Sequence, residues 1–155
     1  MKTVIAGALS ALLLSAAVTA QAQVSPEDQI ELRKAGFSYM AWNMGKLKAQ
    51  VIEGSVEYNQ QQVEAAANTI AAIANSGIGA LFGPGTEKDI GNQHTRVDPA
   101  LFDNMQDVAQ LAGNLGSAAN TLAAEAKTGD KDAIRVAFGE VGKTCKACHD
   151  KYRLD

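Results

Sequence analysis

The amino-acid sequence predicts an all-α fold, a bundle of four helices in a single domain. Four segments repeat apolar residues at heptad spacing, and only the middle one of the three connections between them is long and irregular. No internal repeat interrupts this pattern. The 155 residues carry a formal net charge of −3, without the basic stripe that is typical of nucleic-acid binding.

Residues 1–22 have the features of a secretory signal peptide, and residues 23–155 form the predicted domain. Lys2 precedes an almost wholly apolar run over residues 4–18, and Ala20-Gln21-Ala22 suits a cleavage site. The run is too short for a typical membrane span, and no second one follows. We therefore expect a protein that is exported and has no membrane anchor.

The first predicted helix begins after Ser25, a suitable N-cap, and has Pro26 at its first position. Gly54 and Ser55 are expected to end it. Its apolar residues fall in two heptad rows that lapse only at Arg33. These rows contain Ile30, Phe37, Met44 and Val51, with Met40 and Leu47 between them.

The second predicted helix covers roughly residues 59–75 and is rich in alanine, which permits close approach of another helix or of a second subunit. Its apolar row consists of Val63, Ala66, Ile70 and Ile73.

Residues 76–98 then form the long irregular stretch, which is rich in glycine. Loops of this length usually have a function or are disordered.

The third predicted helix begins near Asp98, with Pro99 behind it, and ends around Thr128 and Gly129. Asp130 is the expected cap of the fourth. Both helices continue the heptad pattern. The third has Leu101, Val108, Leu115 and Leu122 in one row, and the fourth has Ile134, Val141 and Cys148 in one row and Phe138, Cys145 and Tyr152 in the other.

A Cys-x-x-Cys-His motif, formed by Cys145, Cys148 and His149, lies on the fourth predicted helix. This motif is the attachment signature of a c-type haem. Residues three apart on a helix face one way, and His149 lies about 40° around the helix from Cys145, so one haem could meet all three. The alternatives are a redox disulfide, which is typical of a βαβ context, and a zinc site, which needs further ligands; His94 is the only other histidine.

Longer segments around this motif resemble the cytochrome c′ family. Residues 138–143, Phe-Gly-Glu-Val-Gly-Lys, followed by the motif and by Tyr152 and Arg153, are similar to the family's haem-binding end. Residues 82–86, Phe-Gly-Pro-Gly-Thr, are similar to its central loop, and residues 33–40 to the haem-facing part of its first helix. The resemblance covers essentially all of residues 23–155. It implies an antiparallel, left-handed four-helix bundle with one covalently attached haem c, located in the periplasm.

The resemblance also implies roles for residues around the iron. His149 would be the proximal ligand and the one metal-binding residue, with Arg153 beside it. Phe37 would occupy the opposite face without binding iron, which would leave the iron five-coordinate and high-spin. Four further residues would contact the haem propionates or the haem edge: Arg33, Lys34, Thr86 and Glu87.

The face occupied by Phe37 decides between two functions. A protein with this face closed only by a hydrocarbon ring would bind NO and CO and could also take part in electron transfer. The alternative is a low-spin electron-transfer cytochrome with Met40 or Met44 as sixth ligand. The pattern places no distal pair suited to peroxidase chemistry near Phe37, so we expect no catalytic residues and no enzymatic activity. The resemblance further implies a homodimer through the first two helices; the sequence does not identify a redox partner.

Overall fold

The computed structural model describes residues 24–155, so the predicted signal peptide lies outside the described residues. Within this range the regular structure is helical, with two isolated β-bridges and no strand. No helix in this part of the chain is long and apolar enough to cross a membrane. The helices are α1 (Pro26–Leu47), which continues into a π-helical turn (Lys48–Ile52), α2 (Gln60–Ala74), a 3₁₀ turn (Ile78–Leu81), α3 (Ala100–Asp103), α4 (Met105–Thr128) and α5 (Lys131–Tyr152).

The caps predicted at Ser25 and Asp130 and the helix end predicted at Gly129 are confirmed. The Ser25 hydroxyl accepts a hydrogen bond from the backbone N–H of Asp28 at 3.1 Å. Asn59 also caps α2, and the Asp130 carboxylate accepts from the N–H groups of Asp132 and Ala133, the second and third residues of α5. Gly129 has a φ of +75°. Helices commonly end at a residue in this left-handed conformation, which glycine adopts most readily.

The third helix is not continuous, contrary to the prediction for residues 98–128. The helix is interrupted at Asn104, whose φ of −126° and ψ of 33° lie outside the helical region. The Asn104 side chain donates to the Ala100 carbonyl at 2.8 Å, which is the local bonding by which asparagine competes with a continuous helix. Asp98 caps the short α3 by accepting from the Ala100 N–H at 2.9 Å. The heptad row survives the interruption because Leu101 is still buried.

The four long helices form the predicted bundle. Helix α1 packs on α2, α2 on α4, and α4 on α5. Helix α5 approaches the first helix mainly at the π-helical turn, where Arg135 Nε donates to the Val51 carbonyl at 3.0 Å. The main hydrophobic cluster fills the bundle between these helices. Its fully buried side chains include Leu47, Val63, Ile70, Leu122, Ile134 and Val141.

A second, smaller hydrophobic cluster lies where the long loop meets α4 and the end of α5. Its buried members are Val97, Leu101, Val108 and Tyr152. Partly buried side chains pack against it, among them Phe82 from the loop and Cys148 from α5. The second cluster therefore brings the loop and the Cys-x-x-Cys-His motif to the same end of the bundle.

Candidate haem site

The last two turns of α5 present the two cysteines and the histidine of the motif. Cys145 is half-buried and packs against the main cluster, whereas Cys148 is half-buried and packs against the second cluster. His149 is exposed. The motif thus lies where the two apolar clusters adjoin, with its imidazole at the protein surface.

The environment of the two thiols favours their neutral form. Burial raises the pKa of Cys145, and burial together with the nearby Asp107 carboxylate raises the pKa of Cys148. Neither cysteine forms a disulfide. A thioether to a haem keeps the sulfur uncharged, whereas a metal thiolate would place a negative charge in this apolar setting. The thiols therefore fit covalent attachment of an organic group better than a zinc site.

Arg153 lies beside His149, as the resemblance implied. Its Nη1 is 3.4 Å from His149 Nδ1, and both residues line an open depression of about 630 Å³. A contact at Nδ1 leaves Nε2 as the ring nitrogen that could bind a metal. His149 lies in the last turn of α5, and Arg153 is the extended residue that caps its C-terminus, where its backbone N–H donates to the His149 carbonyl at 3.1 Å.

The backbone of the long loop holds Arg153 in place from outside the helix. Val97 and Arg153 form an isolated antiparallel bridge. The Asp98 N–H donates to the Tyr152 carbonyl at 3.0 Å, and the Leu154 N–H donates to the Arg96 carbonyl at 2.8 Å. These bonds, between residues 96–98 and 152–154, fix the chain that follows the motif.

Sequence reasoning missed Asp107, which ties α4 to the end of α5. The Tyr152 hydroxyl donates to Asp107 Oδ2 at 2.7 Å, and Lys151 Nζ lies 3.0 Å from the same atom. These hydrogen bonds lower the pKa of Asp107, while the bond to its carboxylate raises the pKa of Tyr152 to about 12. No local pattern links residue 107 to residues 151–152, since the contact depends on how two helices are aligned.

Arg33 and Thr86, both predicted near the haem, are hydrogen-bonded to each other. Arg33 is only 3% exposed, and its guanidinium donates to the Thr86 hydroxyl and the Thr86 carbonyl, both at 2.6 Å. Further donations reach the Leu81 carbonyl at 3.1 Å and the Thr95 hydroxyl at 2.7 Å. Four of the five guanidinium N–H groups are thus used within the protein. The contacts with haem propionates expected for Arg33 stay a prediction, and in this structure its bonds hold the loop to α1.

Lys34 and Glu87 occupy more open positions. Lys34 is exposed, and its Nζ donates to Gln93 Oε1 in the loop at 3.2 Å. The Glu87 side chain is 17% exposed and borders a mainly apolar groove with Phe82. Burial lowers the pKa of Arg33, and the Glu87 carboxylate partly offsets this effect. Of the four residues predicted at the haem edge, these two could reach a bound group with least rearrangement.

Phe37 and the two methionines have different surroundings. The Phe37 ring is half-buried, and its centroid lies 6.3 Å from that of Phe82 with the planes tilted by 55°. Met40 is 3% exposed within the main cluster, and Met44 packs against that cluster. Phe37 is therefore linked through Phe82 to the second cluster, where Cys148 lies.

Comparison with known proteins agrees with this geometry. The family model for cytochrome c′ matches residues 28–153. The chain belongs to the cytochrome c′ family. Cytochrome c′ from Allochromatium vinosum is 57% identical over 148 residues, which cover 96% of this chain and 93% of that protein.

Two solved cytochrome c′ structures have the same fold as the chain. The crystal structure of the protein from Thermochromatium tepidum is 59% identical, with a TM-score of 0.82 over 86% of this chain and all of that one. A second solved cytochrome c′, described as having an unusual ligand-controlled dimer dissociation, is 57% identical with the same TM-score and coverage. The predicted four-helix bundle and the predicted family are thus confirmed.

Membership of the cytochrome c′ family implies a c-type haem, and the residues of this chain fit that group. Two neutral, half-buried thiols adjoin both apolar clusters, and one accessible imidazole follows them in the sequence. Cys145 and Cys148 are therefore the residues that would hold the haem, and His149 the residue that would bind its iron.

Proposed function

We propose that this chain is a periplasmic haem protein with one covalently attached haem c and a five-coordinate iron. It binds NO and CO, can also take part in electron transfer and is not an enzyme. Cys145 and Cys148 hold the haem through thioethers, and His149 is the single protein ligand. Bound haem would supply a ferrous iron with one open position for a diatomic molecule.

The observation that carries this proposal is the setting of Phe37. A phenylalanine ring has no atom suited to binding iron, and it is packed against another aromatic ring instead of being fully buried. Met40, by contrast, fills a place in the main cluster, which is the usual role of methionine on an apolar helix face. These surroundings favour an open iron position over methionine ligation.

The chemistry of Phe37 also bears on which gas is bound. A hydrocarbon ring can be displaced by a ligand, but it donates no hydrogen bond to that ligand. O₂ generally benefits from a polar distal donor, whereas NO and CO depend on one far less. A solved nitric oxide complex of a cytochrome c′ variant from Alcaligenes xylosoxidans is 31% identical to this chain, with a TM-score of 0.73. It supports NO as a ligand here.

Absorption spectra of the holoprotein test the coordination. We expect the ferric form to lack the sulfur-to-iron band of methionine-ligated haem, and the ferrous form to change its spectrum on addition of CO or NO. Phe37→Ala should speed CO association, while Met40→Ala and Met44→Ala should leave the resting spectrum unchanged. A sulfur-to-iron band that disappears in either methionine variant would instead establish a low-spin electron carrier.

The exposed face of α1 supports a homodimer. Leu32, Tyr39 and Trp42 are 50%, 53% and 56% exposed and lie on one side of the helix. The Tyr39 and Trp42 rings stack with centroids 5.4 Å apart, and Lys46 Nζ lies 4.7 Å from the Trp42 ring. Large apolar side chains grouped in this way are typical of a surface that another protein covers. The dimer then forms through α1, next to the alanine-rich α2.

Sedimentation of the holoprotein tests the dimer. Trp42→Glu places a charge in the proposed interface, so we expect a two-chain mass for wild type and a one-chain mass for the variant. Val136→Glu is the matched control, because Val136 is 68% exposed but lies on α5. A one-chain mass for wild type at micromolar concentration, or equal effects of both variants, would reject this interface.

The periplasmic location rests on residues 1–22. Cell fractionation followed by mass measurement tests it, since we expect haem-loaded protein that begins at Gln23 in the periplasmic fraction. Recovery of the full-length chain in the cytoplasmic fraction would contradict export.

A further inference from the structure

Three side chains from α1 and the long loop, those of Arg33, Phe37 and Phe82, are in contact next to the second cluster. The guanidinium carbon of Arg33 lies 4.7 Å from the centroid of the Phe82 ring, and the Phe82 ring in turn contacts the Phe37 ring at 6.3 Å between centroids. Phe82 is therefore held between a cation on one side and the proposed distal residue on another.

The loop on both sides of Phe82 is bound firmly to α1. Arg33 donates to the Leu81 carbonyl before it and to Thr86 after it. The Gly83 N–H donates to Gln29 Oε1 at 3.0 Å. Gln29 and Arg33 are both buried and lie one turn apart on α1. Because the two bonds between Arg33 and Thr86 are buried, breaking them to let the loop move would leave buried groups without partners.

The packing beyond Phe82 restricts it further. Phe82 packs against the second cluster, whose members Val97, Leu101, Val108 and Tyr152 are all buried. Both rings are half-buried, but among the described residues Phe37 packs against neither hydrophobic cluster and has no cation over it, so it is the less restrained ring of the pair. Any movement of Phe37 must change its contact with a neighbour that Arg33 and the second cluster restrain.

We propose that Phe82, restrained by Arg33, sets how readily Phe37 gives way to a diatomic ligand. The inference rests on the proposed function, in which Phe37 shields the open iron position. Phe82 acts here through its contact with Phe37 and is a positioning residue. Loosening it lowers the resistance to rotation of the Phe37 ring.

The rate of CO association with the ferrous holoprotein tests this role. Phe82→Leu removes the aromatic contact but keeps an apolar side chain, and we expect association to become about 3- to 10-fold faster, the range that one aromatic pair supports. In the double variant Phe37→Ala/Phe82→Leu we expect no gain over Phe37→Ala alone. Phe102→Leu is the matched control, since Phe102 also packs against the second cluster, and its rate should stay close to wild type.

Hydrogen–deuterium exchange gives a second readout that needs no loop variant. We expect residues 81–95 to exchange faster in the CO complex than in the CO-free ferrous protein, and we expect this difference to vanish in Phe37→Ala. An unchanged rate in Phe82→Leu, additive effects in the double variant, or loop exchange that CO does not alter would each overturn the role of Phe82. A wild-type ferrous spectrum that ignores CO would overturn the proposed function itself, and this inference with it.

Discussion

Replacement of Arg33 by methionine would test whether the buried guanidinium holds the loop in the haem-loaded protein. Methionine keeps an unbranched apolar stem but removes every donor. The carbonyls of Thr86 and Leu81 would each lose the hydrogen bond that Arg33 donates, and Thr86 is completely buried. The cationic contact with the Phe82 ring would disappear as well.

The expected loss of stability follows from these groups. Leaving a buried acceptor without a partner costs about 1–3 kcal/mol, and a cation over an aromatic ring contributes about 1 kcal/mol. The variant no longer has to remove water from a guanidinium when it folds, and this saving offsets part of the loss. We expect the free energy of unfolding to fall by about 3 kcal/mol. For a chain of this size that corresponds to a decrease in Tm of about 10 °C.

Thermal unfolding of the ferric holoprotein, followed by far-ultraviolet circular dichroism, measures this decrease. Lys34→Met is the matched control, because the neighbouring side chain is exposed and makes one surface hydrogen bond to Gln93. If Arg33→Met unfolds within about 2 °C of the control, the guanidinium does not anchor the loop. That result would return Arg33 to the role expected from the sequence, at the haem propionates.

Two further predictions concern the end of α5 and the turn before it. In Asp107→Asn the pKa of Tyr152 should fall from about 12 towards the ordinary value of 10, as measured by ultraviolet titration of the phenol. Because the folded state raises this pKa, wild type should lose stability as pH rises from 10 to about 12, and urea unfolding should show a smaller loss in the variant. In Gly129→Ala, the left-handed backbone should cost about 1 kcal/mol, visible as a lower urea midpoint, whereas Gly113→Ala within α4 should not lower it.

Much of the fold could be predicted because its signals are local. Ser25 and Asp130 each cap the helix that follows, and these residues act within one turn. Heptad spacing identified the buried rows, since a helix face repeats along the chain whatever it packs against. The Cys-x-x-Cys-His motif was equally local, as one helix supplies all three side chains.

The rest depended on contacts between distant residues. Arg33 stood out in the sequence only as a lapse in an apolar row, and its partners Thr86 and Thr95 lie in a loop whose path no pattern specifies. The interruption at Asn104 was missed because the leucine and valine row continues through it. Asp107 gave no signal because its partners, Lys151 and Tyr152, lie at the end of α5, 44 and 45 residues later in the chain.

The bridge between Val97 and Arg153 also constrains how the molecule assembles. Its two sides are separated by α3, α4 and α5, and closing so distant a pair costs entropy that only the docked helices offset. We therefore expect residues 82–95 to reach their final arrangement late in folding. Because the loop packs against the same cluster as Cys148, we expect haem attachment to precede the docking of the loop.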